Sequence, residues 1–268
     1  MKGVIIDTHA HIFPRKVAPK AVKSIGDFYD IPMRGDGDIS TLLAMGAMAK
    51  VTHYIVNSSA TTHHQVESIN NFIVDTIKDY DNVFGLCTMH PDLTNEEIDS
   101  VVKFALDNNL IGVKLHPDFQ KFDIDSENAY RIYSRCEGIL PILFHTGDSR
   151  YEYSSPYKLM KVAKDFPNLK CVGAHFGGYD RWQDVEGYVD TPNVYFDTSS
   201  ALFKLPIDEA NRLIKLLGVD RFMFGVDFPM WNHEYEINNI NKLDLTDSEK
   251  EKIFSENAIR FYGLDIKK

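Results

Sequence analysis

The sequence contains few residues that could cross-link the chain or bind metal through thiolates. Its 268 residues include only three cysteines, Cys87, Cys136 and Cys171, which are widely spaced and lie in apolar runs. No Cys-x-x-Cys pair and no zinc-ribbon spacing occurs. The pattern predicts buried free thiols in a reducing compartment and argues against a disulfide scaffold.

Long apolar runs and basic clusters are also missing. No stretch approaches the roughly 18 apolar residues of a membrane-spanning helix, and the first apolar run ends at Asp7, too early for a signal peptide. Acidic residues outnumber basic ones, 39 to 29, for a formal net charge of −10. Because phosphate binding needs clustered Lys and Arg, we expect a cytoplasmic protein with no nucleic-acid or membrane partner and a small-molecule substrate.

Short apolar segments rich in Val, Ile and Phe alternate with longer segments of helical period. The candidate strands are Val4–Asp7, His53–Asn57, Val83–Met89, Ile111–Leu115, Ile139–Phe144, Leu169–Ala174, Val194–Phe196 and Phe222–Val226. The candidate helices are Ile39–Ala49, His64–Lys78, Asn95–Asn108, Ser126–Cys136, Ser155–Asp165, Arg181–Gly187, Asp208–Leu217 and Ser248–Tyr262. Continuous apolar strands are typical of parallel sheets covered on both faces.

This alternation predicts an α/β fold, a single (β/α)8 TIM barrel spanning residues 1–268. The length is close to the roughly 250 residues of such barrels. A doubly wound sheet would be favoured by a glycine-rich loop after the first strand, but Asp7-Thr8-His9-Ala10-His11 stands there. Residues Gly26–Asp38 are predicted to form a long loop on the catalytic face, either a lid or an inert surface loop.

Ionisable residues follow four of the predicted strands. His9 and His11 end the first strand and, with a side-chain period of two, project to the same face. His145, His175 and Asp227 stand where the fifth, sixth and eighth strands end. Because the carboxyl ends of barrel strands meet at one face, four histidines and a carboxylate are predicted to converge. Such a set suits zinc or a similar divalent metal.

The Asp-x-His-x-His start, the His-Phe-Gly-Gly at His175 and the Gly-Val-Asp-Phe-Pro around Asp227 resemble the amidohydrolase superfamily. The nearest resemblance is to the branch with aminocarboxymuconate-semialdehyde decarboxylase-like and resorcylate decarboxylase-like enzymes. It extends from Asp7 to Leu264, nearly the whole chain. It implies a barrel of the metallo-dependent hydrolase type, and a homodimer is a further expectation from the family.

The resemblance also implies roles for the residues at the strand ends. His9, His11 and Asp227 match the family's shared metal ligands, and His145 matches its strand-five ligand. His175 matches a histidine that ligates a second metal in binuclear members and polarises the substrate in mononuclear ones. Asp227 would also act as the general base.

Several positions leave the number of metals and the substrate contacts open. Lys114 matches the lysine that is carboxylated and bridges two metals in dihydroorotase-like members. One zinc ion is therefore expected, or two if Lys114 is carboxylated, and Mn²⁺, Fe²⁺ or Co²⁺ would also fit. His116 projects to the same side as Lys114, so it is a candidate for that role or for substrate contact. Arg150 and Trp231 lie in catalytic-face loops and are candidate substrate contacts or incidental surface residues.

The predicted reaction is hydrolysis of an amide, lactone or ester in a small molecule. A bound Zn²⁺ lowers the pKa of its water from 15.7 to roughly 7, and Asp227 would accept the proton. The metal or His175 would stabilise the oxyanion. Non-oxidative decarboxylation of a small carboxylic acid is the alternative, because it uses nearly the same ligands. A metal-binding protein without catalysis is the third reading.

Overall fold

Parallel strands form the centre of the molecule. The computed structural model describes residues 3–266. Its strands pair in the orders β1-β2-β3 and β4-β5-β6-β7-β8-β9, and each pairing is parallel. The strands are β1 (Ile6–His11), β2 (His53–Asn57), β3 (Val83–Gly85), β4 (Cys87–Thr88), β5 (Val113–Leu115), β6 (Ile142–Phe144), β7 (Cys171–Gly173), β8 (Val194–Asp197) and β9 (Phe222–Met223).

β3 and β4 are two halves of the single strand predicted over Val83–Met89. The chain changes its hydrogen-bonding neighbour between them. The Leu86 amide still donates to the Val56 carbonyl oxygen at 2.9 Å, whereas the Cys87 amide donates to that of Gly112 at 2.9 Å. The two sheets are therefore continuous through this segment.

The first strand also meets the segment that follows the last one. The Thr8 amide donates to the Phe224 carbonyl oxygen at 2.9 Å, and Ala10 forms a parallel bridge with Phe228. These contacts close the sheet into a cylinder. The predicted (β/α)8 barrel is confirmed. Five of the eight strands are shorter than the apolar runs suggested, whereas β1 continues beyond the predicted Val4–Asp7 to His11.

Helices follow most of the strands. They are α1 (Ala18–Tyr29), α2 (Ile39–Met48), α3 (Val66–Ile77), α4 (Asn95–Asp107), α5 (Pro117–Gln120), α6 (Glu127–Cys136), α7 (Pro156–Asp165), α8 (Ile207–Leu217), α9 (His233–Asn241), α10 (Asp247–Glu251) and α11 (Asn257–Tyr262). One π-helical segment, Lys252–Glu256, joins α10 to α11. A capping box at Thr246 and Glu249 opens α10. No helix within residues 3–266 has the length and apolar character to cross a membrane.

Several helical assignments differ from the prediction. The predicted loop Gly26–Asp38 begins inside α1, because Gly26 and the three residues after it complete that helix. The segment Arg181–Gly187 contains short 3-10 turns, closed by bonds such as Asp184 N–H to the Arg181 oxygen, rather than an α-helix. Helices α1, α5 and α9 were not predicted. Helix α9 begins directly after Asn232, whose side chain caps it by accepting the Tyr235 amide hydrogen.

The two ends of the barrel differ in polarity. Its amino end is filled by apolar side chains from most of the strands and closed by Phe261 and Leu264. The buried residues that this cluster takes from the strands and from the link between β3 and β4 are Ile6, Ile55, Leu86, Leu143, Val172 and Met223. The predicted histidines lie at the opposite, carboxyl end, so the packed core leaves that end for chemistry.

Gly147 provides a test of the close packing behind His145. Its φ is +90°, and a Cβ there would lie 2.3 Å from the Gly178 carbonyl carbon. Gly138 has a φ of +74°, and a Cβ added there would meet no other atom within 4 Å. Both Gly→Ala changes cost about 1–2 kcal/mol of backbone strain, but Gly147→Ala adds overpacking of about 1–3 kcal/mol.

Urea unfolding should therefore show a clearly larger loss of stability for Gly147→Ala than for its control, Gly138→Ala. Equal losses in the two variants would mean that the Gly147–Gly178 contact relaxes freely.

Candidate metal centre

Three predicted ligands meet at the carboxyl end of the barrel. His9 and His11, on β1, place their Nε2 atoms 3.1 Å apart. An Asp227 oxygen, Oδ1, lies 3.3 Å from His11 Nε2 and 3.7 Å from His9 Nε2. One ligand atom from each residue lies within 4.8 Å of the others, so the three can hold a metal ion.

The backbone and Ser200 aim the Asp227 carboxylate at the histidines. Asp227 has a left-handed φ of 63°, which costs a non-glycine residue about 1–2 kcal/mol. Its amide donates to the His9 carbonyl oxygen at 2.7 Å, and Ser200 Oγ donates to its Oδ2 at 2.6 Å. The Trp231 indole in turn donates to Ser200 Oγ at 2.9 Å. Trp231 therefore lies behind Asp227.

Asp197, which the sequence analysis missed, holds His9 from the other side. It is the last residue of β8, and its Oδ2 lies 2.9 Å from His9 Nδ1. Burial opposes its ionisation, but the attraction and hydrogen bond of His9, with help from Ser199, outweigh burial and keep the pKa of Asp197 below its ordinary value. An ionised Asp197 accepts the Nδ1 hydrogen of His9. The Nε2 lone pair then faces His11 and Asp227, as a metal ligand requires.

Lys114 is fully buried beside the same ligand group. Its Nζ lies 3.0 Å from His9 Nε2. Burial lowers the pKa of this amine to about 8, although Asp227 and Asp197 oppose the shift. The neutral amine is the form that reacts with CO2, and the lowered pKa leaves a fraction of Lys114 neutral. The position therefore suits the predicted carboxylation, which stays a prediction.

His145 and His175 form a second pair next to the first group. His145 Nδ1 lies 3.0 Å from His175 Nε2, and His175 Nδ1 lies 2.9 Å from the Ser199 carbonyl oxygen. His175 also forms a possible metal-holding set with His9 and Asp197. All five predicted site residues thus lie at one end of the barrel. They form two adjacent groups, one of His9, His11 and Asp227 and the other of His145 and His175.

A stack of rings makes one further histidine cluster poorly suited to metal. His116, Asp118 and His145 could share an ion by distance alone. However, the ring of His116 stacks on that of His145 at 4.0 Å and 8° and on that of Phe119 at 3.8 Å and 7°. An ion between two parallel imidazoles would lie outside both ring planes, away from their lone pairs. Burial lowers the pKa of both histidines well below the usual value, so these rings are neutral.

A narrow pocket opens beside these groups. Its wall combines polar site residues with apolar side chains, as ligand pockets commonly do. The lining residues are His11, Ile25, Tyr29, His116, Phe119, His145, Asp227, Pro229 and Met230. Of the three predicted substrate contacts, His116 lines this pocket, whereas Arg150 and Trp231 lie outside its lining. Direct substrate contact by Arg150 and Trp231 stays a prediction.

Comparison with known proteins identifies relatives by family and by fold. A family model described as Amidohydrolase matches residues 6–264. A search of curated proteins gave no match. An uncharacterised TIM-barrel protein from Bordetella bronchiseptica is similar in structure, with a TM-score of 0.80, 18% identity, and coverage of 97% of this chain and 98% of that one.

Two decarboxylases have similar structures. 5-Carboxyvanillate decarboxylase from Sphingomonas paucimobilis has a TM-score of 0.73 at 15% identity, covering 97% of this chain and 99% of its own. A dihydroxybenzoic acid decarboxylase from Polaromonas sp. JS666, solved with manganese and 2-nitroresorcinol, has a TM-score of 0.76 at 13% identity, covering 98% of each chain. At these identities the likeness shows the shared barrel fold.

Replacing Asp197 tests its hold on His9. Asp197→Asn removes the charged acceptor of the His9 Nδ1 hydrogen, so we expect metal affinity to fall about 10- to 100-fold. Competition with a chromophoric chelator measures this affinity. Asp180→Asn, a change on the surface where Asp180 pairs with Lys204, is the matched control and should bind metal as the wild type does. An unchanged affinity in Asp197→Asn would rule out the positioning role.

Asp118 should make the stability of the metal-free protein depend on pH. Burial raises its pKa from 3.8 to about 7, although Ser154 hydrogen-bonds to it. Since the folded pKa is the higher one, the bound proton stabilises the fold fully below about pH 4, and this contribution is lost as the pH rises towards 7.

Asp118→Asn should remove this dependence. The free energy of unfolding in urea is measured for both proteins from about pH 4 to pH 8. Over this range the wild type should lose up to about 4 kcal/mol of stability that the variant does not lose. Parallel pH profiles for the two proteins would show that Asp118 is ionised in the fold.

Proposed function

This chain belongs to the amidohydrolase family, and on that premise we propose that it is a metal-dependent enzyme that removes CO2 non-oxidatively from a small carboxylic acid. One observation carries the proposal. Asp227, a candidate metal ligand and proton carrier, lines the same narrow pocket as neutral His116 and His145 and a set of apolar side chains. The apolar members of that set are Ile25, Phe119, Pro229 and Met230.

We propose that one divalent transition ion, zinc or manganese, is held by His9, His11, His145 and Asp227. Neutral imidazoles with one carboxylate suit either ion, and a structurally similar decarboxylase was solved with manganese. When bound, the ion orients the carboxylate or a hydroxyl group of the substrate and draws negative charge from it.

The residues of the pocket supply the remaining requirements of the reaction. The apolar wall solvates a carboxylate poorly, which favours cleavage of the carbon–carbon bond because the charge then spreads over the substrate. The electron pair stays on the substrate carbon, CO2 leaves, and Asp227 delivers a proton to that carbon. Burial opposes ionisation of Asp227, but His9 and His11 hold its pKa well below the usual value. The carboxylate must therefore first take a proton from a substrate hydroxyl group or from water.

Hydrolysis of an amide, lactone or ester is the second candidate. The same low pKa makes the Asp227 carboxylate able to accept a proton from a metal-activated water. Lys114 beside His9 would allow a second ion if it were carboxylated, and a second ion would favour hydrolysis.

Elemental analysis of the protein as purified measures the number of metal ions per chain. The proposed decarboxylase should contain close to one.

Isotopic labelling separates the two reactions. The metal-loaded protein is incubated with small carboxylic acids, amides, lactones and esters in deuterated water labelled with heavy oxygen. Decarboxylation releases CO2 and places one deuterium on the carbon that carried the carboxyl group. Hydrolysis releases no CO2 and places one heavy oxygen in the product. Absence of turnover across the panel would favour a metal-binding protein without catalysis.

Replacement of Asp227 tests its role as proton carrier. Asp227→Asn should lower kcat by about 10²- to 10⁴-fold, because the amide cannot carry the proton. Its metal content should largely survive on His9, His11 and His145. The control, Asp190→Asn, changes an exposed acidic residue and should keep full turnover. Full turnover in Asp227→Asn would remove this residue from the mechanism.

A further inference from the structure

Helix α1 brings a phenol into the candidate site. Tyr29, the last residue of α1, lines the pocket together with His11 and Asp227. Its hydroxyl oxygen lies 3.2 Å from His116 Nε2 and 3.4 Å from His145 Nε2. The hydroxyl group therefore lies beside the Nε2 atoms of both stacked imidazoles, at the boundary between them and the pocket.

The two imidazoles donate hydrogen bonds towards Tyr29, so the hydroxyl hydrogen of Tyr29 does not bond to them. His116 Nδ1 accepts the Phe119 amide hydrogen at 3.4 Å, so the one hydrogen of this neutral ring is on Nε2 and faces Tyr29. His145 Nδ1 faces His175, opposite Tyr29. If Nδ1 of His145 is the metal-binding nitrogen, its Nε2 also carries a hydrogen. The oxygen of Tyr29 then accepts from one or both rings, and its own hydrogen finds no acceptor on them.

The end of α1 is fixed by Arg150. The guanidinium lies 4.3 Å from the centre of the Phe28 ring and donates to the Phe28 carbonyl oxygen. It also forms a two-pronged pair with Asp148, at 3.0 Å to Oδ1 and 2.7 Å to Oδ2. Arg150 is thus engaged by Asp148 and Phe28, and it holds the residue directly before Tyr29 in place.

The pocket lining contains no lysine or arginine among the described residues. An anionic substrate would therefore find few strong donors there besides a bound metal ion. A phenol whose oxygen accepts N–H hydrogens becomes a stronger donor, because successive hydrogen bonds polarise one another. Burial raises the pKa of Tyr29 well above 10, so it keeps its hydrogen at neutral pH.

We propose that Tyr29 is a substrate-binding residue that donates its phenolic hydrogen to the single carboxylate of a small acid whose remaining body is uncharged. This inference rests on the proposed function, because it assumes a carboxylic acid as substrate. The uncharged body lies against Ile25, Pro229 and Met230. A second carboxylate would face that apolar wall without a counter-ion, so dicarboxylic acids bind weakly.

The test compares Tyr29→Phe with a matched control, Tyr151→Phe. Both remove one phenolic hydroxyl and keep the ring, and Tyr151 lies outside the pocket lining, stacked on Phe28. Calorimetric titration of the manganese-loaded proteins with benzoate and with acetate measures anion binding without turnover. A hydrogen bond to a charged group implies an affinity loss of about 10- to 100-fold for Tyr29→Phe, with no loss for the control.

A substrate that releases CO2 gives a second readout. A bond made equally in the ground and transition states raises KM and leaves kcat nearly unchanged, whereas a loosened pocket would lower both kcat and stability. Wild-type affinity in Tyr29→Phe overturns the proposal, as does failure of the wild type to bind either anion. If no acid is decarboxylated but Tyr29→Phe still weakens benzoate binding, the tyrosine assignment stands and the proposed function fails.

Discussion

Closure of the barrel between the first and last strands is the contact on which the site depends. Asp7, fully buried in β1, accepts the amide hydrogens of His9 and Val226, both at 3.0 Å, through one oxygen. Its other oxygen lies 3.0 Å from His233 Nε2. The Asp7 carboxylate thus connects three parts of the site: the ligand His9, Val226 directly before Asp227, and His233 of helix α9. In an open sheet, His9 and Asp227 would lie at opposite edges.

The sequence predicted the barrel and the position of its ligands because both follow from periodicity. Apolar strands in regular alternation with helices leave few other folds, and the carboxyl ends converge whatever the loops do. Strand limits were less predictable. The run Phe222–Val226 is apolar throughout, yet β9 ends at Met223 because the Phe224 amide donates to the Ile253 oxygen and that of Val226 to Asp7. These partners are distant in sequence.

Two residues of the site escaped prediction for different reasons. Asp197 carried a local signal, since it directly follows the predicted strand that ended at Phe196, and the rule used for the other strand ends applies to it. Tyr29 carried none. Its contacts with His116 and His145 span 87 and 116 positions, and they exist only because α1 folds back over the barrel. Such contacts depend on the packing of a helix whose end was predicted to be loop.

The charges of the site connect its metal to its substrate. Asp197 and Asp227 are held ionised, whereas His9, His116 and His145 are neutral and Lys114 is charged only in part at neutral pH. Two buried carboxylates without full compensation are unfavourable, so the set favours a divalent cation. With that cation the group is close to neutral or carries one positive charge. A site so balanced attracts one carboxylate and gains little from a second.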